Sequence, residues 1–161
     1  MKTVCLDTQV LIWGIKEEAD NGQDEMISRT KALLQNLEED DKKILIPSIV
    51  IGEFLIRTPE AAYQTIINLI QTNYMVAEYD IMAANHFAKI WNAKKNSAAV
   101  ESIKESGATR KELIADRMIV ATAIANKVEC IYSHDNGVAA FGDGFIDVRK
   151  VPQMPNQPQL I

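Results

Sequence analysis

Short apolar runs alternate along the chain with longer segments in which apolar residues recur at helical spacing. Apolar residues three or four positions apart predict helices, for example over residues 26–37 and 63–70. The short runs that predict strands are residues 2–6, 44–46, 74–78, 129–133 and 145–148. Because strands that alternate with helices form parallel sheets, this order predicts an α/β fold, a three-layer α/β/α sandwich with a central parallel sheet.

The segment from Glu112 to Phe141 carries the strongest pattern. Residues 118–125 are apolar except for Thr122, and a helix that is apolar on nearly every side is buried inside a domain. A predicted strand follows at residues 129–133, and Asp135 lies just beyond its end in a predicted acidic loop. Because parallel sheets bind ligands outside the carboxyl ends of their strands, this loop is a candidate functional site.

Helix starts are predicted where a side chain can accept a backbone N–H group or where proline can occupy the first turn. Ser48 is predicted to cap the helix after the second strand, and Asp80 the helix after the third. Thr58 before Pro59 predicts another helix start. Residues 92–111 are the least apolar and most basic part of the chain, and we predict a helix extension and a loop there.

Length and composition favour one domain with a sizeable core, since 47% of the 161 residues are hydrophobic. We predict that residues 1–149 form this domain. Residues 150–161 form a proline-rich tail, which we expect to be extended or mobile. Trp13 and Trp91 are predicted to be core residues rather than platforms on which nucleic-acid bases stack.

Charge and targeting signals narrow the class of protein. The net charge of −5 does not fit a basic nucleic-acid-binding protein of the usual kind. No apolar run is long enough to span a membrane, and the first residues lack the layout of a signal peptide. We therefore expect a cytoplasmic location and no membrane partner. In that compartment Cys5 and Cys130 are expected to be buried, reduced thiols.

Four acidic residues stand where a parallel sheet could gather them. Asp7 ends the first predicted strand, and Asp135 follows the fourth. Glu53 is the one charge in the apolar helix after the second strand, and Asp116 lies early in the buried helix. A common sheet edge would bring the four together, whereas in the simpler alternative each acid faces solvent separately.

Such a cluster would need compensation for its charge. Two like charges about 6 Å apart repel by about 3 kcal/mol at an effective dielectric constant near 20, a large part of a domain's stability. The carboxyl groups must therefore take up protons, face water or hold cations. Carboxylates with few nitrogen or sulfur ligands suit Mg²⁺ or Mn²⁺. Thr8 and Ser133 add hydroxyl groups beside Asp7 and Asp135 that could orient a carboxylate.

The motifs around these acids resemble those of PIN domains, the fold of the VapC-type toxin ribonucleases. LDTQVLIW at residues 6–13 resembles the first motif of that family, and IPSIVIGEFL at residues 46–55 resembles the second. ADRMIVATAIA at residues 115–125 and IYSHDNGVAAF at residues 131–141 resemble the third and fourth motifs, which are the most specific part. The resemblance covers residues 1–149 and implies a parallel sheet in an α/β/α sandwich.

The resemblance also implies an activity. It suggests a Mg²⁺- or Mn²⁺-dependent endoribonuclease that hydrolyses phosphodiester bonds of single-stranded RNA, as the toxin of a type II toxin–antitoxin pair. By position, the family's catalytic and metal-binding acids correspond to Asp7, Glu53, Asp116 and Asp135. Its supporting hydroxyl positions correspond to Thr8 and Ser133.

The partners implied by the resemblance are RNA, a cognate antitoxin protein and a second copy of the chain. Arg110, Lys111 and Arg117 lie near Asp116 in sequence and are candidates to contact RNA phosphates. Solvated surface charges are the simpler interpretation of each of these three residues.

Other classes of protein remain as alternatives. A catalytically silent PIN-like module that binds RNA or a protein would share the fold. A phosphatase of the haloacid-dehalogenase type fits less well, because its motif needs a second acid where Gln9 stands. A response-regulator receiver needs paired acids after the first strand, where only Asp7 is present. Gln9 and the length of residues 92–111 also depart from the PIN pattern.

Overall fold

The computed structural model describes residues 2–155, which contain a five-stranded sheet with all strands parallel. In chain order the strands are β1 Thr3–Leu6, β2 Lys43–Pro47, β3 Met75–Ala77, β4 Cys130–Tyr132 and β5 Asp147–Arg149. Their spatial order is β3-β2-β1-β4-β5. The connections therefore change direction between β1 and β4, where α/β sheets form a ligand-binding crevice.

Successive strand residues point to opposite faces of the sheet and enter two separate cores. In β1, Val4 and Leu6 pack on one face and Cys5 packs on the other. Cys5 is aligned with Leu45 of β2 and Ile131 of β4, and all three enter the same core. A core on each face of a parallel sheet confirms the predicted three-layer α/β/α sandwich.

Helices cover both faces of the sheet. Among the described residues they are α1 Thr8–Leu11, α2 Glu25–Glu39, α3 Ser48–Ile56, α4 Tyr63–Asn73, α5 Ile81–Lys94, α6 Ala98–Glu105, α7 Arg110–Ala125 and α8 Asn136–Gly142. A π-helical turn, Ile12–Lys16, extends α1, and a 3-10 turn, Glu60–Ala62, precedes α4. Buried side chains of α1 to α4 join the core that contains Val4, and those of α5 to α8 mainly join the core that contains Cys5.

Three strands lead directly into helices at the carboxyl edge of the sheet. Asp7 stands between β1 and α1, Asp135 lies just before α8, and β2 runs into α3 without a break. The Asp7 N–H group donates to the Tyr132 carbonyl at 3.1 Å, which extends the pairing of β1 with β4 to this edge. The helix starts are therefore held close to one another.

The segment after β4 is helical, so our prediction of an acidic loop was wrong. Asp135 caps α8, because its Oδ1 accepts the N–H groups of Gly137 at 2.7 Å and Val138 at 3.1 Å. Val138 and Phe141 are fully buried. Burial of this apolar face and the cap outweigh the cost of glycine in a helix.

The helix start predicted at Ser48 is confirmed, but of the three predicted caps only Asp80 is confirmed, since its Oδ1 accepts the N–H group three residues on at 2.9 Å. Ser48 is already the first residue of α3, and Pro47 occupies the cap position with extended backbone. The Thr58 hydroxyl donates to the Phe54 carbonyl at 3.0 Å, so it closes the end of α3 instead of starting α4.

The predicted loop within residues 92–111 contains the separate helix α6. Ser97 caps it by accepting the Val100 N–H group at 3.3 Å, and Val100 is fully buried. A capping box then starts α7, in which Thr109 and Glu112 each accept the other's backbone N–H group. Val100 and the partly buried Ile103 and Ala108 pack into the core that contains Cys5, so the segment is folded although its composition alone suggested a loop.

The first residues of the predicted tail are fixed to the domain. Val151 is 1% exposed and packs into the core that contains Val4. Arg29 of α2 donates to the carbonyl groups of both Val151 and Pro152. Residues 156–161 of the predicted tail lie outside the described residues.

Burial of the cysteines agrees with the prediction, and burial of the tryptophans does so in part. Cys5 and Cys130 are fully buried free thiols, and Trp13 is 2% exposed. Trp91, which we predicted to be a core residue, is 37% exposed. No helix within residues 2–155 combines the length and the apolar character that crossing a membrane requires.

Candidate active site

A cavity of about 650 Å³ opens at the carboxyl edge of the sheet, beside the crevice between β1 and β4. It is lined by all four predicted acids, Asp7, Glu53, Asp116 and Asp135. They come from the ends of β1 and β4 and from the interiors of α3 and α7. The fold therefore gathers acids that are far apart in the sequence.

Asp7 is the most enclosed of these acids, with 6% of its surface exposed. Its Oδ1 accepts the Thr8 N–H group at 2.7 Å, and its Oδ2 accepts the Ser133 hydroxyl at 2.6 Å. The Ser133 oxygen in turn accepts the Asp135 N–H group at 3.0 Å. Ser133 thus joins the end of β1 to the start of α8 and orients the Asp7 carboxylate.

Glu53 is held by the first residue of α1. The Thr8 hydroxyl donates to Glu53 Oε1 at 3.2 Å, and the Glu53 side chain is only partly buried. Thr8 therefore contacts two of the acids, Glu53 through its hydroxyl and Asp7 through its backbone N–H group. Both hydroxyl residues singled out in the sequence lie against carboxylates in the cavity.

The carboxyl groups of Asp116 and Asp135 both lie next to Gly137 at the start of α8. A Cβ atom added to Gly137 would overlap Asp116 Oδ2 and would lie 3.0 Å from Asp135 Oδ1. Two oxygens that both lie within 3.0 Å of one point cannot be far apart. The carboxyl groups of α7 and of the α8 cap are therefore close neighbours.

Burial, together with the charges of neighbouring acids, raises the pKa of three of these residues, Asp7, Glu53 and Asp116. Burial, followed by the charges of Asp135, Asp7 and Glu53, raises the pKa of Asp116 from its ordinary value to about 8. Burial also raises the pKa of Asp7, although the hydrogen bonds from Ser133 and Thr8 oppose the shift. Burial raises the pKa of Glu53 in the same way. These shifts mean that full ionisation of the cluster is unfavourable without a compensating positive charge.

The chemistry of the donor set fits a hard divalent cation. All four side chains offer carboxylate oxygens, and a carboxylate that accepts one or two hydrogen bonds keeps lone pairs free for a metal. Within residues 2–155, no group of three acidic, histidine or cysteine side chains is arranged to hold one ion as it stands. Binding would therefore have to draw the carboxylates inward against their mutual repulsion.

Arg110 and Lys111 lie outside the cavity lining. Both are exposed in the first turn of α7, more than one helical turn before Asp116. Their side chains therefore face solvent at some distance from the acids, and either interpretation given above, a surface charge or a phosphate contact, is compatible with this position.

Arg117 is buried, so it is neither a solvated surface charge nor positioned for a phosphate contact. It is 8% exposed, and its guanidinium carbon lies 4.3 Å from the ring centre of Phe87, 4.4 Å from that of Trp91 and 5.6 Å from that of Phe141. These aromatic faces attract the cation and join α5 and α8 to α7. Trp91 covers the guanidinium group, and this role accounts for its position at the surface.

The structure adds cavity residues that sequence reasoning did not select. Arg57 lies four positions after Glu53, directly after the last residue of α3, and lines the same cavity. Because side chains four positions apart lie on the same face of a helix, this spacing could have indicated that Arg57 lies near Glu53. Gln9 and Asp20 also line the cavity. No local pattern marked Gly137, because its closeness to Asp116 depends on the packing of α7 against α8.

His134 lines the cavity but is engaged in packing. Its Nε2 accepts the Val151 N–H group at 3.0 Å, and its ring meets that of Trp13 edge-on with centres 5.1 Å apart. Burial lowers its pKa, and the charge of Arg29 adds to this shift. A neutral ring that already accepts a backbone hydrogen bond is suited to hold the C-terminal segment rather than to exchange protons.

Comparison with solved structures shows the same fold in toxin–antitoxin proteins. One chain of VapBC2 from Rickettsia felis, bound to a promoter DNA fragment, matches with a TM-score of 0.62 and 12% identity over 92% of this chain and 98% of that chain. For VapBC-1 from nontypeable Haemophilus influenzae the TM-score is 0.62 and the identity 14%, over 92% of this chain and 97% of that chain.

A third match is VapC20 from Mycobacterium tuberculosis, described as a toxin that cleaves the sarcin-ricin loop. Its TM-score is 0.51 and its identity 15%, over 91% of this chain and 98% of that chain. At such identities these likenesses concern the fold alone. No curated protein matches the sequence.

The sequence itself matches the family model of the PIN domain over residues 4–143. This range contains the four acids and both hydroxyl residues that contact them, and it spans most of the chain. The chain therefore belongs to the PIN domain family.

Proposed function

We propose that this protein is a divalent-metal-dependent endoribonuclease and the toxin of a type II toxin–antitoxin pair. The observation that carries the proposal is the convergence of Asp7, Glu53, Asp116 and Asp135 on one cavity at the carboxyl edge of the sheet. Carboxyl groups kept together despite raised pKa values point to a functional role, since the same positions would be more stable with neutral side chains.

In this proposal the four acids hold Mg²⁺ or Mn²⁺. When bound, the cation would supply Lewis-acid activation of water and neutralisation of charge on the phosphodiester. Ser133 and Thr8 keep the Asp7 carboxylate in one orientation, and Thr8 does the same for Glu53. Asp135 uses one oxygen to cap α8, which leaves its other oxygen free to bind the cation.

The proposed substrate is single-stranded RNA. An acidic cavity can accept a polyanion only where cations offset its charge, so the backbone must approach through metal and basic side chains. Arg57 at the cavity wall and the exposed Arg110 and Lys111 are the proposed phosphate contacts. Arg117 is left out of this set because aromatic rings enclose its guanidinium group. The similar fold of VapC20, a toxin described as cleaving the sarcin-ricin loop, supports this class of substrate.

The first test is cleavage of single-stranded RNA by the purified protein. We expect cleavage with Mg²⁺ or Mn²⁺, complete inhibition by a chelator, and a loss of about 100-fold or more for Asp7→Asn. Asp40→Asn, an exposed acid at the end of α2, is the matched control and should retain full activity. Equal cleavage by Asp7→Asn and the wild type would assign the activity to a contaminant or to another site. Binding of RNA without any cleavage would favour the catalytically silent module.

The proposed protein partners are a cognate antitoxin and a second copy of the chain. Two of the similar structures are VapBC complexes, which supports an antitoxin partner. Expression of the chain alone should slow growth, and expression with the neighbouring small open reading frame should restore growth and yield a complex that co-purifies. Growth unaffected by the chain alone, together with no complex, would argue against a toxin role.

A further inference from the structure

Gly137 is the second residue of α8 and stands directly beneath two of the acids. A Cβ atom there would overlap Asp116 Oδ2 and lie 2.9 Å from Asp116 Cγ and 3.0 Å from Asp135 Oδ1. Separations below 3.0 Å are closer than van der Waals contact permits, so any side chain at this position and the Asp116 carboxyl group exclude each other.

The backbone does not require glycine at this position. Gly137 lies in a helix and is not among the glycines with positive φ, which are Gly22, Gly107 and Gly144. In a helix, alanine is favoured over glycine by roughly 0.5–1 kcal/mol. The helix itself would thus be more stable with alanine. Glycine is needed here only because a side chain would occupy the space in which the Asp116 carboxyl group lies.

We propose that Gly137 is a positioning residue, whose missing side chain provides the space in which the Asp116 carboxyl group lies beside that of Asp135. This inference rests on the metal site of the proposed function and deepens it. A methyl group at position 137 would turn Asp116 away from Asp135 and separate two ligands of the proposed ion.

The expected consequence is a loss of metal affinity without a loss of fold. The atom that must move is the end of a rotatable side chain, so α7 and α8 can keep their packing. In Gly137→Ala we expect Mn²⁺ affinity, measured by calorimetric titration, to fall by about 10- to 100-fold. The melting temperature of the metal-free protein should stay at or above that of the wild type, because alanine favours the helix.

Gly52→Ala is the matched control. Gly52 also lies within a helix, α3, but a Cβ atom there would meet nothing within 4 Å. This variant should show the stabilising effect of alanine and an unchanged Mn²⁺ affinity. An affinity loss in both variants would indicate a general effect of glycine replacement and overturn the inference.

The Asp116→Ala background separates this inference from the proposed function. If Asp116→Ala retains wild-type Mn²⁺ affinity, the proposed metal site fails. If Asp116→Ala loses affinity but Gly137→Ala retains it, the role of Gly137 alone fails. In the double variant, Gly137→Ala should cause no further loss of affinity, because the group that it displaces has been removed.

A measurement without metal keeps the inference testable on its own. The ¹³C chemical shift of the Asp116 carboxyl carbon should change in Gly137→Ala and stay the same in Gly52→Ala. An unchanged shift in Gly137→Ala would overturn the inference. If Gly137→Ala does not fold, recovery of folding in the Asp116→Ala double variant would support the steric exclusion, and failure to recover would contradict it.

Discussion

Asp116→Asn is expected to reduce RNA cleavage by about 1,000-fold and at the same time to stabilise the metal-free protein. Asparagine has the shape of aspartate but neither the charge nor the affinity of a carboxylate for Mg²⁺ or Mn²⁺. The pKa of Asp116 lies at about 8, because burial and the charges of Asp135, Asp7 and Glu53 oppose its ionisation. Relief of that cost should raise the free energy of unfolding near pH 8 by roughly 2 kcal/mol, after allowance for screening by water in the open cavity.

Urea unfolding and cleavage rates measured on the same samples check this prediction. Asp40→Asn, at an exposed site outside the cavity, should change neither quantity. Asp116→Asn should also abolish the rise in melting temperature that Mn²⁺ gives the wild type. If Asp116→Asn instead lowered the free energy of unfolding of the metal-free protein, the carboxyl group would stabilise the fold rather than destabilise it.

The second large effect is a pH dependence of stability in the absence of metal. Between the ordinary pKa of aspartate and about 8, the folded state binds a proton at Asp116 that the unfolded state does not bind. Stability falls with rising pH wherever the folded state binds more protons, so the free energy of unfolding should decrease from about pH 5 to pH 8. The raised pKa values of Asp7 and Glu53 act in the same direction.

Chemical denaturation across this pH range, with and without Mn²⁺, tests the prediction. Saturating Mn²⁺ should reverse the slope, because a cation binds the ionised carboxylates and stabilises the fold more as they lose protons. Asp116→Asn should show a flatter metal-free profile than the wild type. A metal-free wild type whose stability rises from pH 5 to pH 8 would contradict the assignment of an unfavourable acidic cluster.

The elements with strong local patterns were predictable from the sequence. The five apolar runs became the five strands, and most of the apolar stretch at residues 118–125 is buried within α7. Alternation of strands with helices was enough for the parallel sheet and its two covered faces. Asp80 was predicted as a helix cap because its side chain bonds to a neighbouring N–H group, which is a local interaction.

The local predictions failed where distant contacts decide the structure. Residues 136–142 look like a loop, yet burial of Val138 and Phe141 makes them helical. Arg117 looks like a surface charge, but the rings of three aromatic residues from α5 and α8 surround it. Val151 follows the last strand in a proline-rich segment and is held by His134 and Arg29.

For the site, the amino-acid sequence alone identifies the acids and hydroxyl groups of the chain and the family motifs that contain them. These residues could be selected as candidates because each lies in or beside an apolar run, where a charged or polar residue is unusual. The folded structure is needed to see that Asp7 accepts a hydrogen bond from Ser133, that Asp116 lies beside Asp135 next to Gly137, and that Arg57 lines the same cavity. These relations depend on the order of strands in the sheet and on helix packing, and distances between remote residues are not encoded in any local pattern.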